Sequence, residues 1–288
     1  MSTTEIYPNN DEQKFLQAEM LQNLDAAGPL TSADYQNQMD AMFGELKANR
    51  NNDVWAARAE VWDRYVTNGP EGPINTFSQV MLRGGYDNHY SGVLNQCEEM
   101  ENNPYKWSPQ EMKNAADAKL EAKTFLVESN HLLRSIIEEQ GDNFTGKQLF
   151  SWYTKACEGK AKTAEGRVMG AASEIAVKRA MEAMGVFRSA SVQYGDIEQD
   201  LLGMDIVGQI KKGGVRLAVD VKTGKQETKH FRKPYGLQMI VGVPHYLFDD
   251  HLKVDQEDTE GLAYLMNLEL AKAKHSPSHH SDRQGSIH

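Results

Sequence analysis

Three charged residues, Asp205, Asp220 and Lys222, stand in an otherwise apolar stretch, GMDIVGQIKKGGVRLAVDVKTGK. Val215, Leu217, Val219 and Val221 alternate there with Arg216, Ala218, Asp220 and Lys222. Side chains in a strand change face at every residue, so the valine and leucine set is expected in a core and Asp220 and Lys222 on the opposite face. The Lys-Lys-Gly-Gly turn between the two strands then decides where Asp205 falls. With Lys212-Gly213 as a two-residue loop, Asp205 lies opposite Asp220. With Gly213-Gly214, the choice type I′ chemistry prefers, it lies opposite Lys222. Either register gathers two carboxylates and one ammonium on one face, because directly paired residues project to the same side. A three-residue loop would break that parity.

Adjacent carboxylates repel, and desolvation adds to the cost. A divalent cation offsets both: hard oxygen ligands suit Mg²⁺, which takes one or two carboxylates together with waters and substrate phosphates. The plainer reading of Asp-x-Lys on a strand is a surface ion pair, worth little. A third carboxylate bears on the choice. Residues 162–184 (KTAEGRVMGAASEIAVKRAMEAM) are rich in helix formers and end before Gly185, a helix stop. At helical spacing Glu174 shares a face with Gly170, Ala171, Val177 and Met181, interrupting an apolar stripe. Its plainer reading is an i,i+4 pair with Lys178.

A helix with an inward Glu, a strand, an Asp opening the next strand, a hairpin and then Asp-x-Lys resembles the PD-(D/E)XK nuclease superfamily. The resemblance runs over residues 162–246. It implies an α/β (α+β) fold with a mixed sheet, a restriction-endonuclease-like core, and an all-helical N-terminal extension. It implies a metal-dependent phosphodiesterase, a DNA endonuclease, in which Asp205, Asp220 and Glu174 hold Mg²⁺, with Mn²⁺ as substitute. Lys222 would join these acids as a catalytic residue that orients or helps deprotonate the attacking water. Two departures stand out. Only residues 224–234 remain for the helix that usually follows Asp-x-Lys, and no Gln-x-x-x-Tyr signature follows Gln238. The alternative is a nuclease-fold module that has lost catalysis and binds nucleic acid or a protein partner. A third reading, a structural helical assembly protein, predicts that all three positions are neutral to activity.

The chain carries 31 Lys and Arg against 41 Asp and Glu, a net charge of −10 that by itself disfavours nucleic acid. The acid is unevenly placed: residues 1–144 are net −12, residues 145–250 net +4 and residues 251–288 net −2. Directly after the motif comes KTGKQETKHFRKPYG, where Lys225, Lys229, Arg232 and Lys233 are interleaved with Phe231 and Tyr235. Lysine and arginine supply sequence-independent phosphate affinity and aromatics stack on bases, so these four are the candidate nucleic-acid contacts. A solvated polar loop is the plain alternative. The Thr-Gly-Lys pieces at 145–147 and 223–225 lack the rest of a phosphate-binding loop.

At 288 residues the chain is long enough for a large core. These charge shifts divide it into an acidic helical region (1–144), the nuclease-like core (145–250), and a C-terminal helix with a polar tail (251–288). No basic-then-apolar leader and no apolar run long enough for a bilayer are seen, and Cys97 and Cys157 make no disulfide framework, so a cytoplasmic protein away from membranes is expected. Helical spacing covers 11–27, 32–49, 53–66 and 108–140, the last opening on Ser108-Pro109-Gln110-Glu111. Residues 68–75 and 83–89, rich in Gly, Asn and Pro, read as loops. Trp55, Trp62 and Trp107 read as core. The N-terminal region could serve a homo-oligomer or a protein partner. An amphipathic helix is expected at 260–274, with Leu262, Leu265, Met266, Leu268 and Leu270 near one side, and beyond it the tail is expected to be disordered.

Overall fold

The computed structural model describes residues 30–49, 54–69, 71–224, 228–233 and 236–275, which divide into two units. The first is helical, runs to Ile175 and takes in Phe248–Lys253; the second begins at Ala176 and contains the strands and the last helix. The chain is a mixed α/β protein with a helical N-terminal part. By contacts it divides at Ile175, inside a helix, whereas by composition it divides at 144. The helix expected at 11–27 and the tail beyond 275 lie outside the described residues.

In the helical unit, α1 is Ser32–Ala48 and α2 is Val54–Trp62, which continues into a π-helical turn, Asp63–Thr67. Two long helices follow, α3 (Pro73–Asn102) and α4 (Pro109–Gln140), then α5 (Gly146–Ala156) and α6 (Ala161–Ala183). Helix α4 starts as its sequence requires. The Glu111 amide donates to the Ser108 hydroxyl, the Ser108 amide donates to the Glu111 carboxylate, and Pro109 occupies the first turn, where its missing N–H is not needed. Thr145 and Gln148 repeat the device at α5. The α3–α4 pair is antiparallel, since Arg83 reaches Glu128, Tyr90 reaches Glu121 and Cys97 reaches Ala115.

The loop expected at 83–89 is instead the middle of α3. Glycine here permits close approach of neighbours without breaking the helix. A Cβ on Gly84 would lie 2.8 Å from the Ala156 Cβ, and one on Gly85 would fall 2.1 Å from the Arg58 guanidinium. Close packing at both positions offsets the roughly 1 kcal/mol helix penalty of each glycine. Tyr35, Phe77, Phe144 and Trp152 meet edge to face, Tyr35 to Phe77 at 4.9 Å and Phe77 to Trp152 at 5.3 Å between centroids, which joins α1, α3 and α5. Trp62 is only half-buried and Trp107 is exposed, so neither is the core residue expected; the Trp55 side chain lies outside the described residues.

Asp87 and Glu174 are the carboxylates buried in this helical unit among the described residues. Asp87 accepts a 2.6 Å hydrogen bond from the Tyr153 hydroxyl and lies 3.5 Å from Arg167 Nε, while its Oδ1 has no hydrogen-bond partner among the described residues. Burial pushes the Asp87 carboxyl up, against the pull of Arg167 and Tyr153. Burial, helped by the Asp87 charge, pushes the Cys157 thiol up to about 12, which disfavours the thiolate.

In the second unit, β1 (Gln193–Tyr194), a short helix α7 (Ile197–Leu201), β2 (Ile206–Gln209) and β3 (Arg216–Thr223) come first, then β4 (Thr228–Lys233), β5 (Gly236–Val243) and α8 (Gln256–His275). The sheet order is β1-β2-β3-β5-β4. β1, β2 and β3 are successively antiparallel, β3 and β5 run parallel, and β4 returns antiparallel along the far side of β5. The segment after Asp-x-Lys, too short for a crossover helix, thus forms an edge strand. Leu217, Val219, Met239 and Val241 are fully buried on one face, with Ile206 and Gly208. Gly208 lets β2 approach Phe187 and Met181, which a Cβ would meet at about 3 Å. Val215, expected in that core, is 45% exposed, because the ladder begins only at Arg216. Helix α8 buries Leu262, Met266 and Leu270 as expected, while Leu268 is exposed.

Two outcomes test the helical packing. Gly84→Val should overpack against Ala156 and lower the unfolding free energy by about 1–3 kcal/mol in urea titrations. Asp87 binds its proton more tightly in the folded than in the unfolded chain. The stability it contributes is therefore complete below about pH 4 and is lost as pH rises through the raised folded value. Asp87→Asn has no charge to bury and keeps an acceptor for Tyr153. It should gain stability relative to the wild type between pH 4 and pH 7, read from urea midpoints at both.

Candidate functional site

The turn between β2 and β3 settles the register. Ile210 donates to the Val215 carbonyl at 2.9 Å, so residues 211–214 form a four-residue loop, with Gly213 and Gly214 at φ +89° and +65°. Four is even, so the two strands keep the same parity as with a two-residue loop. Ile206 pairs with Val219 and Gln209 with Arg216. Carried back one position, this register sets Asp205 opposite Asp220, the first of the two alternatives.

Asp205 sits where β2 begins, and its Oδ2 accepts a 2.6 Å hydrogen bond from the Val221 amide. Its carbonyl accepts from Gly195 at 2.8 Å, which ties it to the end of β1. Asp220 Oδ1 lies 2.6 Å from Lys222 Nζ, with Lys222 61% and Asp220 15% exposed at the side chain. The turn leading into Asp205 passes beside Asp220: a Cβ on Gly203, whose φ is +73°, would lie 3.8 Å from Asp220 Oδ2 and from Gln238 Nε2.

Across the sheet, Asp220 pairs with Ile240 and Ile240 pairs with Lys229, so the three form one row. Two strand spacings separate Asp220 from Lys229, about 10 Å. Lys229 is exposed. Arg232 and Lys233 pair with Leu237 and Gly236 on the same edge strand, and Lys225 lies outside the described residues. Lysine on an edge strand also has a purely structural use, blocking edge-to-edge pairing.

Glu174 belongs to the helical unit, whereas Asp205, Asp220 and Lys222 belong to the sheet unit. Its buried carboxylate forms an ion pair with Arg134 and accepts from the Asn130 amide at 2.5 Å, both on α4. The i,i+4 neighbour expected for it, Lys178, lies 3.0 Å from Glu182. Among the described residues no three His, Cys, Asp or Glu side chains are grouped so as to hold a metal.

Gln238 has no role in the sequence reading beyond its missing Tyr partner. It is 8% exposed in β5, pairs in register with Ala218, and donates from Nε2 to the Gly203 carbonyl at 3.0 Å. A polar residue among Leu237, Met239 and Ile240 was the available signal, since a buried amide requires a partner.

The fold and site define a mixed α/β protein with two aspartates and a lysine on one sheet face. Compared with known protein families, with curated proteins and with solved structures, the chain matches none. Among the described residues no helix is long and apolar enough to cross a membrane.

The hydrogen bond to Val221 gives Asp205 a structural role that substitutions can separate from chemistry. Asp205→Ala leaves that amide without its acceptor and should cost about 1–3 kcal/mol, whereas Asp205→Asn keeps an acceptor and should cost clearly less. Lys222→Ala should stay within about 0.5 kcal/mol of wild type, because its ion pair is exposed on the lysine side. Urea unfolding of the three variants measures this order.

Proposed function

We propose that the chain is a metal-dependent nuclease that cuts phosphodiester bonds of nucleic acid, with DNA as substrate and endonucleolytic action. The observation that carries this reading is the β2–β3 register. It sets Asp205 opposite Asp220 and leaves the Lys222 ammonium on the Asp220 carboxylate. Like charges in that position call for a positive counterpart, and two carboxylates form a hard-oxygen set suited to Mg²⁺, with Mn²⁺ as substitute. The ion, when bound by Asp205 and Asp220, would make a bound water more acidic and offset charge on the phosphate.

The protein's own groups supply the rest. Asp205 can hold its position because the Val221 amide orients one oxygen, and a carboxylate offers about four lone-pair positions in all. Lys222 is exposed enough to turn from Asp220 to a phosphate oxygen or to hydrogen-bond the attacking water. Lys229, in the same row, is placed to contact a neighbouring phosphate; Lys225, Arg232 and Lys233 extend that basic stretch. Glu174 has a different assignment, as the acid that neutralises Arg134.

A second reading is favoured by that last contact. With Glu174 engaged by Arg134 and Asn130, the same sheet face would bind nucleic acid or a protein partner without cutting. Incubation of supercoiled plasmid and single-stranded DNA with Mg²⁺, Mn²⁺ or EDTA separates the two. Cleavage is expected with either metal and not with EDTA, and Asp220→Ala or Lys222→Ala should lower it by roughly 10²- to 10⁴-fold. DNA retained in gel shifts but intact with every metal would establish binding alone. Full activity in Lys222→Ala would remove the lysine from the mechanism.

A further inference from the structure

We infer that Gln238 is a positioning residue that sets the spacing of the Asp205 and Asp220 carboxylates by holding the turn between them. This rests on the proposed role of that pair in holding a divalent cation. The turn at 202–204 connects α7 to Asp205 and contains Gly203 at φ +73°, a conformation that favours glycine. Its own backbone bonds are local: Gly203 donates to Asp200 at 2.8 Å and Met204 to Gln199 at 2.9 Å. The Gln238 amide provides a link from this turn to the sheet, donating to the Gly203 carbonyl at 3.0 Å from a buried place in β5.

Gln238 pairs with Ala218, two residues before Asp220 on the same face of β3. The turn is thereby held over the strand that carries Asp220, with the Gly203 Cβ position equidistant, at 3.8 Å, from Asp220 Oδ2 and Gln238 Nε2. Asp205 is two residues further along. A glutamine fits this task because its long neutral arm can donate to a carbonyl without adding charge beside two acids. Groups that orient metal-binding side chains typically change metal affinity by 10- to 100-fold when removed.

The test measures Mn²⁺ binding to the full chain by the loss of the free-ion electron paramagnetic resonance signal, alongside the metal dependence of cleavage. Gln238→Met keeps the volume but removes the donor; Gln238→Asn keeps an amide one methylene too short to reach Gly203. Both should weaken Mn²⁺ binding about tenfold and raise the half-saturating metal concentration for cleavage similarly, while the rate at saturating Mn²⁺ stays within about threefold of wild type. A residue that only supports the fold would lower the unfolding midpoint and leave the Mn²⁺ affinity unchanged, and that result in both variants overturns the inference. If either variant fails to fold, the other gives the same readout. Asp220→Asn separates the two levels. Should it bind Mn²⁺ as tightly as wild type, the cation role of the pair fails, and this inference with it. Loss of binding in Asp220→Asn with unchanged binding in both Gln238 variants refutes Gln238 alone.

Discussion

The register of β2 on β3, which carried back one position sets Asp205 opposite Asp220, is the constraint on which the sheet unit depends. The pairing of β2 with β3 fixes Ile206 against Val219, and the even loop at 211–214 keeps the parity that sets Asp205 opposite Asp220. Asp205 also accepts the Val221 amide, a charge-assisted bond of about 1.5–3 kcal/mol. The same carboxylate therefore helps to finish the sheet and, in the proposed reading, would also hold the cation. Lys222 pairs with Asp220 from the same strand.

Around this pair the topology is economical. β5 returns parallel to β3 through an antiparallel strand, so the basic segment after the motif lies in the sheet as its edge. The consequence is a matter of placement: Lys229 joins Asp220 and Ile240 in one row across the sheet. Edge protection and the proposed phosphate contact ask for the same residue type at this position, so the two uses would not compete.

The helical unit places its charges differently. Arg134 and Glu174 are both buried and bonded to each other, as Asp87 is with Tyr153 and Arg167 nearby. Removing one member of a buried pair leaves a charge without its counterpart and costs about 3–5 kcal/mol, against about 0–1 kcal/mol for an exposed pair. Glu174 is thus tied to stability through Arg134, while Lys222, exposed in its pair, carries little of the fold. That contrast is why Glu174, an acid on a helix with the expected spacing, has a different physical meaning from Asp205 and Asp220.

Local rules made much of this legible. The caps at Ser108 and Thr145 locate helix starts because each satisfies N–H groups within four residues. The period-two alternation in β3 sets Asp220 and Lys222 on the face opposite Leu217 and Val219, although Ala218 on their own face is buried as well. Where the sequence reading failed, a distant partner decided. Gly84 and Gly85 read as a loop until Ala156 and Arg58 are seen against them. Arg134 cannot be named as a partner of Glu174 until packing brings α4 to it. Gln238 has no meaning until the Gly203 carbonyl is above it. Periodicity and capping depend on neighbours along the chain and are written in it; the partner of a buried charge or amide comes from far away in sequence, and only packing selects it.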